Sequence, residues 1–371
     1  MATHKQLEVK TLHVELGERS YPIVIGPNVL HDIGQYLEQL GIHDHQQILI
    51  ITDDQVKALH ADALTQRLDE TNYRYHVYAV PSGERSKSLN TYEDVITFMI
   101  DKQFDRKSVV LALGGGVVGD LAGFVASSYM RGIDFIQLPT TIQAHDSSVG
   151  GKVGINHALG KNMIGAFHQP LAVLYDTSIL KTLPLREIKS GYAELIKYGM
   201  IWDASFATWL DQHANECLQL QEPYLTEALY KGCEIKAEIV SQDEKETGIR
   251  SLLNFGHTFG HALENLGQYT RLTHGEAIAI GMVLAGEVSE HHYQITNIKE
   301  RVLALVQKFG LPYERPREWT VEDILSLMYR DKKSTGGQLN LILVTKVGHA
   351  VLEQGVAPKL VKQVLKGEGG A

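Results

Sequence analysis

Three histidines fall within residues 254–276, NFGHTFGHALENLGQYTRLTHGE, at a spacing that a hydrophobic core does not require. His257 and His261 stand four apart in HTFGHALENL, a run that reads as helix. Both imidazoles then project from one face, as the paired histidines of zinc motifs do. His274 follows after a loop, just ahead of a second helical run, EAIAIGMVLAGEVSE. A catalytic zinc takes three protein ligands and leaves a position open, so a carboxylate or a further histidine should complete the set. Glu194 in SGYAELIKYGM is the candidate, on a helical stretch where Glu194, Lys197 and Tyr198 share a face. The plainer reading of that face is an exposed Glu–Lys pair worth a few tenths of a kcal/mol, and spacing alone favours that plainer reading. Gly256, Gly260 and Gly275 flank the histidines. Glycine inside a helical pattern costs about 1 kcal/mol relative to alanine unless close approach of a ligand or another backbone offsets it.

A different chemistry is written in VVLALGGGVVGDLAGF, where Gly114, Gly116 and Gly119 meet the G-x-G-x-x-G pattern between a strand-like run and a helical one. In that context backbone N–H groups and a helix N-terminus receive a pyrophosphate. No Gly-Lys-Ser/Thr follows, so this is not a Walker loop. Asp53 closes the run ILIITD as an acidic residue suited to a ribose, although a solvated Asp is as common at a strand end. PSGERSKS brings Ser82, Gly83, Glu84 and Lys87 into a loop after another strand. Thr140 and Thr141 lie just past DFIQL, at the carboxyl edge where α/β sheets place ligands. DSSVGGKVGINHALGKNMIGAFHQP then combines Gly151-Lys152 and Gly160-Lys161 with Asp146, Asn156 and Asn162. Glycines there admit close backbone approach, and lysines supply point charges for phosphate or carboxylate.

These groups need a scaffold, and the apolar pattern supplies one. Runs at 48–52, 75–80, 109–113 and 135–138 alternate with helical-period segments, the signature of a parallel sheet covered by helices. Shorter runs at 12–16 and 21–25 predict an antiparallel hairpin at the sheet edge. Helical periodicity dominates from 186 to 309, which sets the expected boundary near 183. The expected plan is an α/β Rossmann-like dinucleotide-binding domain over 1–183 and a mainly helical metal- and substrate-binding domain over 184–371. A strand-like pair at 339–344 and 350–354 follows a Gly-Gly turn. At 371 residues and 44% hydrophobic content, two cores are the natural expectation. No apolar run reaches the roughly 18 residues of a membrane span, and MATHKQLEVK lacks the apolar centre of a signal peptide, so a cytoplasmic protein is expected. Cys217 and Cys233 are the only cysteines, which suits reduced thiols and excludes a cysteine-based zinc site. A net charge of −9 without any cluster of five basic residues argues against nucleic acid. Yet Arg131, Lys152, Lys161, Lys197, Lys236, Arg250, Lys332 and Lys333 recur in the motif-like segments, as a pocket for a small anionic substrate would need.

Over residues 53–348 the chain carries, in order, SGERSK, GGGVVGD, PTT, DSSVGGK, GKNMIGAFHQP, SGYAELIKYG, LLNFGHTFGHALE, HGEAIAIGM and DKK. In these motifs it resembles the 3-dehydroquinate synthases of the shikimate pathway. The resemblance implies bound NAD and a divalent metal, zinc or cobalt, with Glu194, His257 and His274 as metal ligands. His261 then leaves the ligand set and becomes a group that contacts substrate. For NAD the matching positions are Asp53, Glu84, Lys87, Gly115, Gly116, Asp120, Thr140, Thr141 and Thr182, with Ser82, Gly83, Gly119, Lys152 and Lys161 beside them in the same motifs. Around the substrate the family pattern implies Asp146, Lys152, Asn162, Lys197, Lys236, Arg250, Asn254 and one or both of Lys332 and Lys333. It also implies a homodimer in which Arg131 comes from the partner subunit. The loop IQAH between Thr141 and Asp146 is one residue shorter than is usual in the family. The implied reaction converts 3-deoxy-D-arabino-heptulosonate 7-phosphate to 3-dehydroquinate and phosphate.

Other readings predict different outcomes. A related cyclase of the 2-epi-5-epi-valiolone or 2-deoxy-scyllo-inosose synthase type would take a sugar phosphate without a carboxylate, which Arg250 beside Asn254 disfavours. A metal-dependent polyol dehydrogenase would release NADH and would not need so many phosphate-binding lysines. A non-catalytic binding module would leave the metal constellation unexplained.

Overall fold

A computed structural model describes residues 8–330 and 339–367, so Lys332 and Lys333 lie outside the described residues. The chain forms two compact units, one of residues up to Leu183 with Glu222–Lys245, the other of Pro184–Gln221 with residues from Glu246 onward.

In the first unit the apolar runs become strands β1 (Lys10–Val14), β2 (Tyr21–Gly26), β3 (Gln47–Asp53), β4 (Arg74–Val80), β5 (Val109–Gly114) and β6 (Asp134–Pro139). A separate hairpin of β7 (Lys152–His157) and β8 (Gly160–Phe167) follows, and then β9 (Ala172–Asp176). The seven-stranded sheet runs β1-β2-β9-β6-β5-β3-β4, with β1 antiparallel at the edge and the other pairs parallel. Helices α1 (Ile33–Gln39), α2 (Asp62–Glu70), α3 (Leu89–Asp101) and α4 (Gly116–Ser128) connect them. The strands read as unbroken apolar runs because both sheet faces are covered: Ile48, Ile50 and Leu111 enter one buried cluster, Leu49, Ile51 and Val110 the other.

Two elements differ from the sequence expectation. The β7–β8 hairpin occupies the glycine-lysine stretch, where no strand is expected from the sequence because its glycines mask strand character. A Cβ at Gly154 would fall 2.6 Å from the Ile164 carbonyl oxygen and one at Gly165 2.4 Å from that of Val153, so the strands approach too closely for side chains there. The run AVLYD of β9 was not anticipated, and it inserts between β2 and β6.

The chain enters the second unit with α5 (Leu185–Ile201) and returns to the first with α6 (Tyr224–Gln242), which packs on β1 and β2. The Glu15 N–H donates to Ser241 Oγ at 3.2 Å, and Lys10 pairs with Glu227. Periodicity reveals the stripe a helix must bury but not the surface that buries it, so position in the chain did not predict this helix's company. The second unit resumes with α7 (His257–Leu266), α8 (His274–Tyr293) and the antiparallel pair β10 (Leu339–Lys346) and β11 (His349–Val356). Among the described residues no helix is long and apolar enough to cross a membrane.

Candidate active site

The start of α8 is set by a capping box. Thr273 Oγ1 accepts from the Glu276 N–H at 3.2 Å, and a Glu276 carboxylate oxygen accepts from the Thr273 N–H at 2.8 Å. His274 is therefore the first residue of the helix, and Gly275 behind it lies against α5. A Cβ on Gly275 would fall 2.0 Å from the Ser190 carbonyl oxygen, while the Gly275 N–H donates to Ser190 Oγ at 3.1 Å. Glu194 lies one turn beyond Ser190 on the same helix face. On the other side, a Cβ on Gly281 would fall 2.1 Å from the Gly256 carbonyl oxygen, so α7 begins against α8. The glycines flanking the histidines serve backbone approach.

This packing brings Glu194, His257 and His274 together, with one potential ligand atom from each within 4.8 Å of the others. Glu194 Oε1 lies 3.0 Å from His274 Nε2 and 3.5 Å from His257 Nε2. The other ring nitrogens are engaged elsewhere: His257 Nδ1 is 3.1 Å from the Phe255 carbonyl oxygen and His274 Nδ1 is 3.2 Å from Glu264 Oε1. Both rings thus turn Nε2 inward. A carboxylate and two imidazoles form a donor set suited to a divalent ion of borderline softness. His261 stands outside that set, its ring centroid 5.4 Å from that of His257 and 6.4 Å from that of His274. Helical spacing pairs it with His257, whereas the cluster takes its second imidazole from the next helix.

Glu194 and Lys197 are each 1% exposed and in contact, which removes the reading of a solvated surface pair. Burial pushes the Glu194 carboxyl up, but the Lys197 ammonium and the two imidazoles outweigh it and hold the group well below the usual carboxylate range. Burial depresses His257 to about 4. His274 is carried up to about 10, burial being overcome by Glu264 and Glu194.

The glycine-rich candidates gather at the carboxyl edge of the parallel sheet. The chain leaves β3 toward β4 on one side and β5 toward β6 on the other, so the edge between β3 and β5 is a switch point where such sheets bind ligands. Asp53 ends β3 there and the turn Gly114–Gly116 follows β5. Cβ atoms at Gly115 and Gly116 would fall 3.0 Å from Thr141 Cγ2 and 3.0 Å from Ser147 Oγ. Thr140 Oγ1 and Ser147 Oγ are buried with no hydrogen-bond partner among the described residues. Such orphaned hydroxyls beside a helix N-terminus fit a polar cofactor that would satisfy them.

The other side chains of this edge hold one another. Asp53 Oδ1 accepts from the N–H groups of Gln55 and Val56, each at 3.0 Å, and from Ser82 Oγ at 2.7 Å. Gly83 carries φ +103° and opens the turn that presents Glu84. Lys87, 3% exposed, donates to Asp120 Oδ2 at 2.6 Å and to Asn162 Oδ1 at 2.7 Å. Glu84 accepts from Asn156 Nδ2 at 2.8 Å and has Lys161 Nζ at 3.5 Å. Gly119 lies against Gln137, and Thr182 Oγ1 is 3.0 Å from His60 Nε2. Beside them a cavity of about 320 Å³ is lined by Asp120, Lys152, Gly154, Asn162, Met163 and Phe167. Asp146 Oδ2 pairs with Lys236 Nζ on α6 at 3.0 Å.

In the second unit Arg250 is 1% exposed, and Asn254 Nδ2 donates to Glu246 Oε1 at 2.9 Å and to the Ser251 carbonyl at 3.0 Å. Arg131, in the first unit, is exposed on a turn where Met130 and Arg131 take φ +48° and +73°. Sequence reasoning missed Glu264. It lies three residues beyond His261 on the α7 face that carries both histidines, and that spacing was the available signal.

Family models described as 3-dehydroquinate synthase N-terminal and C-terminal match residues 77–190 and 191–334. The chain is 46% identical to the 3-dehydroquinate synthase of Desulforamulus reducens over 340 residues, covering 91% of this chain and 94% of that protein. It is 45% identical to that of Vibrio atlanticus, covering 96% and 98%. A crystal structure of 2-deoxy-scyllo-inosose synthase complexed with carbaglucose-6-phosphate, NAD+ and Co2+ is 26% identical with a TM-score of 0.88, covering 96% of this chain and all of that one (100%). A 2-epi-5-epi-valiolone synthase from Streptomyces hygroscopicus with NAD+ and Zn2+ bound is 27% identical with a TM-score of 0.86, covering 95% and 98%. An iron-containing alcohol dehydrogenase, 14% identical with a TM-score of 0.67, shares the fold.

Proposed function

The chain belongs to the 3-dehydroquinate synthase family, and from that membership we propose how its residues carry the family's reaction, in which 3-deoxy-D-arabino-heptulosonate 7-phosphate becomes 3-dehydroquinate and phosphate. The observation that supports this most directly is the buried group of Glu194, His257 and His274 beside Lys197, in a chain that also carries a dinucleotide-type sheet edge.

NAD, when bound, would supply a reversible hydride acceptor for the substrate's C5 hydroxyl, leaving the net reaction redox-neutral. A divalent ion, when bound, would supply Lewis acidity toward hydroxyl and carbonyl oxygens of the substrate. Glu194, His257 and His274 are the residues that would hold that ion, zinc or cobalt. Asp53 receives the ribose, the Gly115–Gly116 turn and the N-terminus of α4 the pyrophosphate, and Thr140, Thr141 and Thr182 complete the cofactor contacts. Ser82, Gly83, Glu84, Lys87, Gly119, Asp120 and Lys161 shape the same edge. Arg250 pairs with the substrate carboxylate through its planar fork, and Asn254 stands beside it. Lys152, Asn162, Lys197 and Lys236 bind phosphate and hydroxyl oxygens, with Asp146 orienting Lys236, and one or both of Lys332 and Lys333 join them. The substrate's own phosphate takes the C6 proton, and His261 relays the proton of the C5 hydroxyl.

The enzyme works in the cytoplasm as a homodimer in which Arg131 reaches the phosphate held by its partner. Mixing Arg131→Ala subunits with Lys197→Ala subunits restores part of the activity under this reading; no recovery despite exchange confirmed by mass removes Arg131 from the partner's site. For the reaction itself, phosphate release is measured with the heptulosonate phosphate, sedoheptulose 7-phosphate and glucose 6-phosphate, NAD being kept below the substrate concentration. Release from the first alone, without lasting NADH absorbance, is expected. Release from either of the others, or one NADH per product, overturns the assignment.

A further inference from the structure

The two histidines proposed as ligands are anchored differently. His257 Nδ1 meets a neutral backbone carbonyl, that of Phe255 at 3.1 Å, whereas His274 Nδ1 meets a carboxylate, Glu264 Oε1 at 3.2 Å. Glu264 is 4% exposed and does not belong to the ligand group, so the two nitrogens of His274 address two carboxylates with separate duties. Its place does not depend on side-chain flexibility. Glu264 follows His257 and His261 on one face of α7, and the contact of Gly281 with the Gly256 carbonyl holds that helix against the one that begins at His274.

We propose that Glu264 is a positioning residue for the metal centre: it accepts the Nδ1 proton of His274, keeps that ring in the tautomer that offers Nε2 to the ion, and makes His274 the stronger donor of the two imidazoles. A carboxylate acceptor raises the basicity of the opposite ring nitrogen more than a carbonyl does. The proposal rests on the ligand assignment made above, and the test separates the two.

Zinc affinity is measured by competition with a chromophoric chelator for the wild-type chain and for Glu264→Gln, which keeps volume and a hydrogen-bond acceptor while removing charge. Affinity is expected to fall about tenfold to a hundredfold. The visible bands of the cobalt-loaded variant shift, and the melting temperature of the metal-free chain changes little. In the zinc-loaded wild type, nitrogen NMR finds the proton of His274 on Nδ1. Affinity within twofold of wild type and an unshifted cobalt spectrum overturn the role of Glu264 alone. Should Glu264→Gln fail to fold, the tautomer decides, and an unprotonated Nδ1 on His274 overturns it. Zinc bound by His257→Ala and His274→Ala with the affinity of the wild type overturns the ligand assignment as well.

Discussion

At the candidate metal site the side chains of interest stand on helices locked by backbone contact, whereas along the candidate nucleotide edge they come from a strand end, short turns, a helix and a hairpin and hold one another by ion pairs and hydrogen bonds. Glu194 and Lys197 are both 1% exposed, and Gly275 leaves no room for even a methyl group against Ser190. Along the edge, Asp120 is 21% exposed, Lys87 has three polar neighbours, and Asp53 already caps a helical turn. The first arrangement fixes donor positions before any ligand arrives and carries a buried charge whose neutralisation is costly to disturb. The second shares each charge among several polar partners, as Lys87 does among Asp120, Asn162 and Glu84, so that losing one partner leaves others in place.

That contrast is tested most severely by removing one charge in each region. Glu194→Gln leaves the Lys197 ammonium buried and should destabilise the metal-free chain by about 3 kcal/mol while abolishing metal binding. Asp120→Asn leaves Lys87 with Asn162 and with Glu84 at 4.0 Å, and should cost about 1 kcal/mol. Equal losses in denaturant melts would erase the distinction. Next in size, Gly275→Ala drives a Cβ into the Ser190 carbonyl. A loss of about 2 kcal/mol and of stoichiometric zinc is expected, read by melting and by metal analysis after gel filtration. Wild-type stoichiometry would show that helix spacing does not set the ligands.

A smaller effect separates structure from cofactor binding at Asp53. Asp53→Asn retains a capping oxygen and should leave the melting temperature nearly unchanged while weakening NAD binding roughly tenfold, a change of about 1.4 kcal/mol. Asp53→Ala should add a capping loss of about 1 kcal/mol. If both variants bind NAD as the wild type does, Asp53 only caps its turn.

The smallest expected effect concerns the thiols, one in each unit: Cys217 in the second and Cys233 in the first, both buried. Burial pushes each from 9.0 up to about 12. Their share of stability is therefore complete below the ordinary thiol range and declines as pH rises from about 9 toward about 12. Alkylation at neutral pH should be negligible over hours and should appear on both sites only with unfolding. Rapid labelling of one thiol in the native protein would mark its unit as locally open.

Much of this was legible in the residues. The unbroken apolar runs of β3 and β5 announced a sheet buried on both faces, and the glycines after β5 announced the strand-to-helix turn found there. The hairpin β7–β8 was not legible, since glycine there answers to backbone crowding across the strand pair and hides strand propensity. Neither was the membership of α6, because an apolar stripe does not name its partner. His261 shows the same limit at the level of a single group: a spacing of four predicts a face shared with His257, but the cluster of close donor atoms is Glu194, His257 and His274.

Read alone, the chain declares its chemistry: imidazoles and carboxylates without a cysteine pair, glycines where strands end, basic residues in an acidic protein, and ordered motifs that reveal the family. Which donors meet is settled by packing. The grouping of Glu194, His257 and His274, and the presence of Glu264 behind His274, depend on distances of a few ångströms between two consecutive helices and a third some 80 residues earlier in the chain. Those distances follow from backbone contacts at Gly275 and Gly281, which periodicity along one helix does not encode. Burial likewise converts Glu194 and Lys197 from an ordinary surface pair into a charged centre, because the same two residues in water would hold each other only weakly.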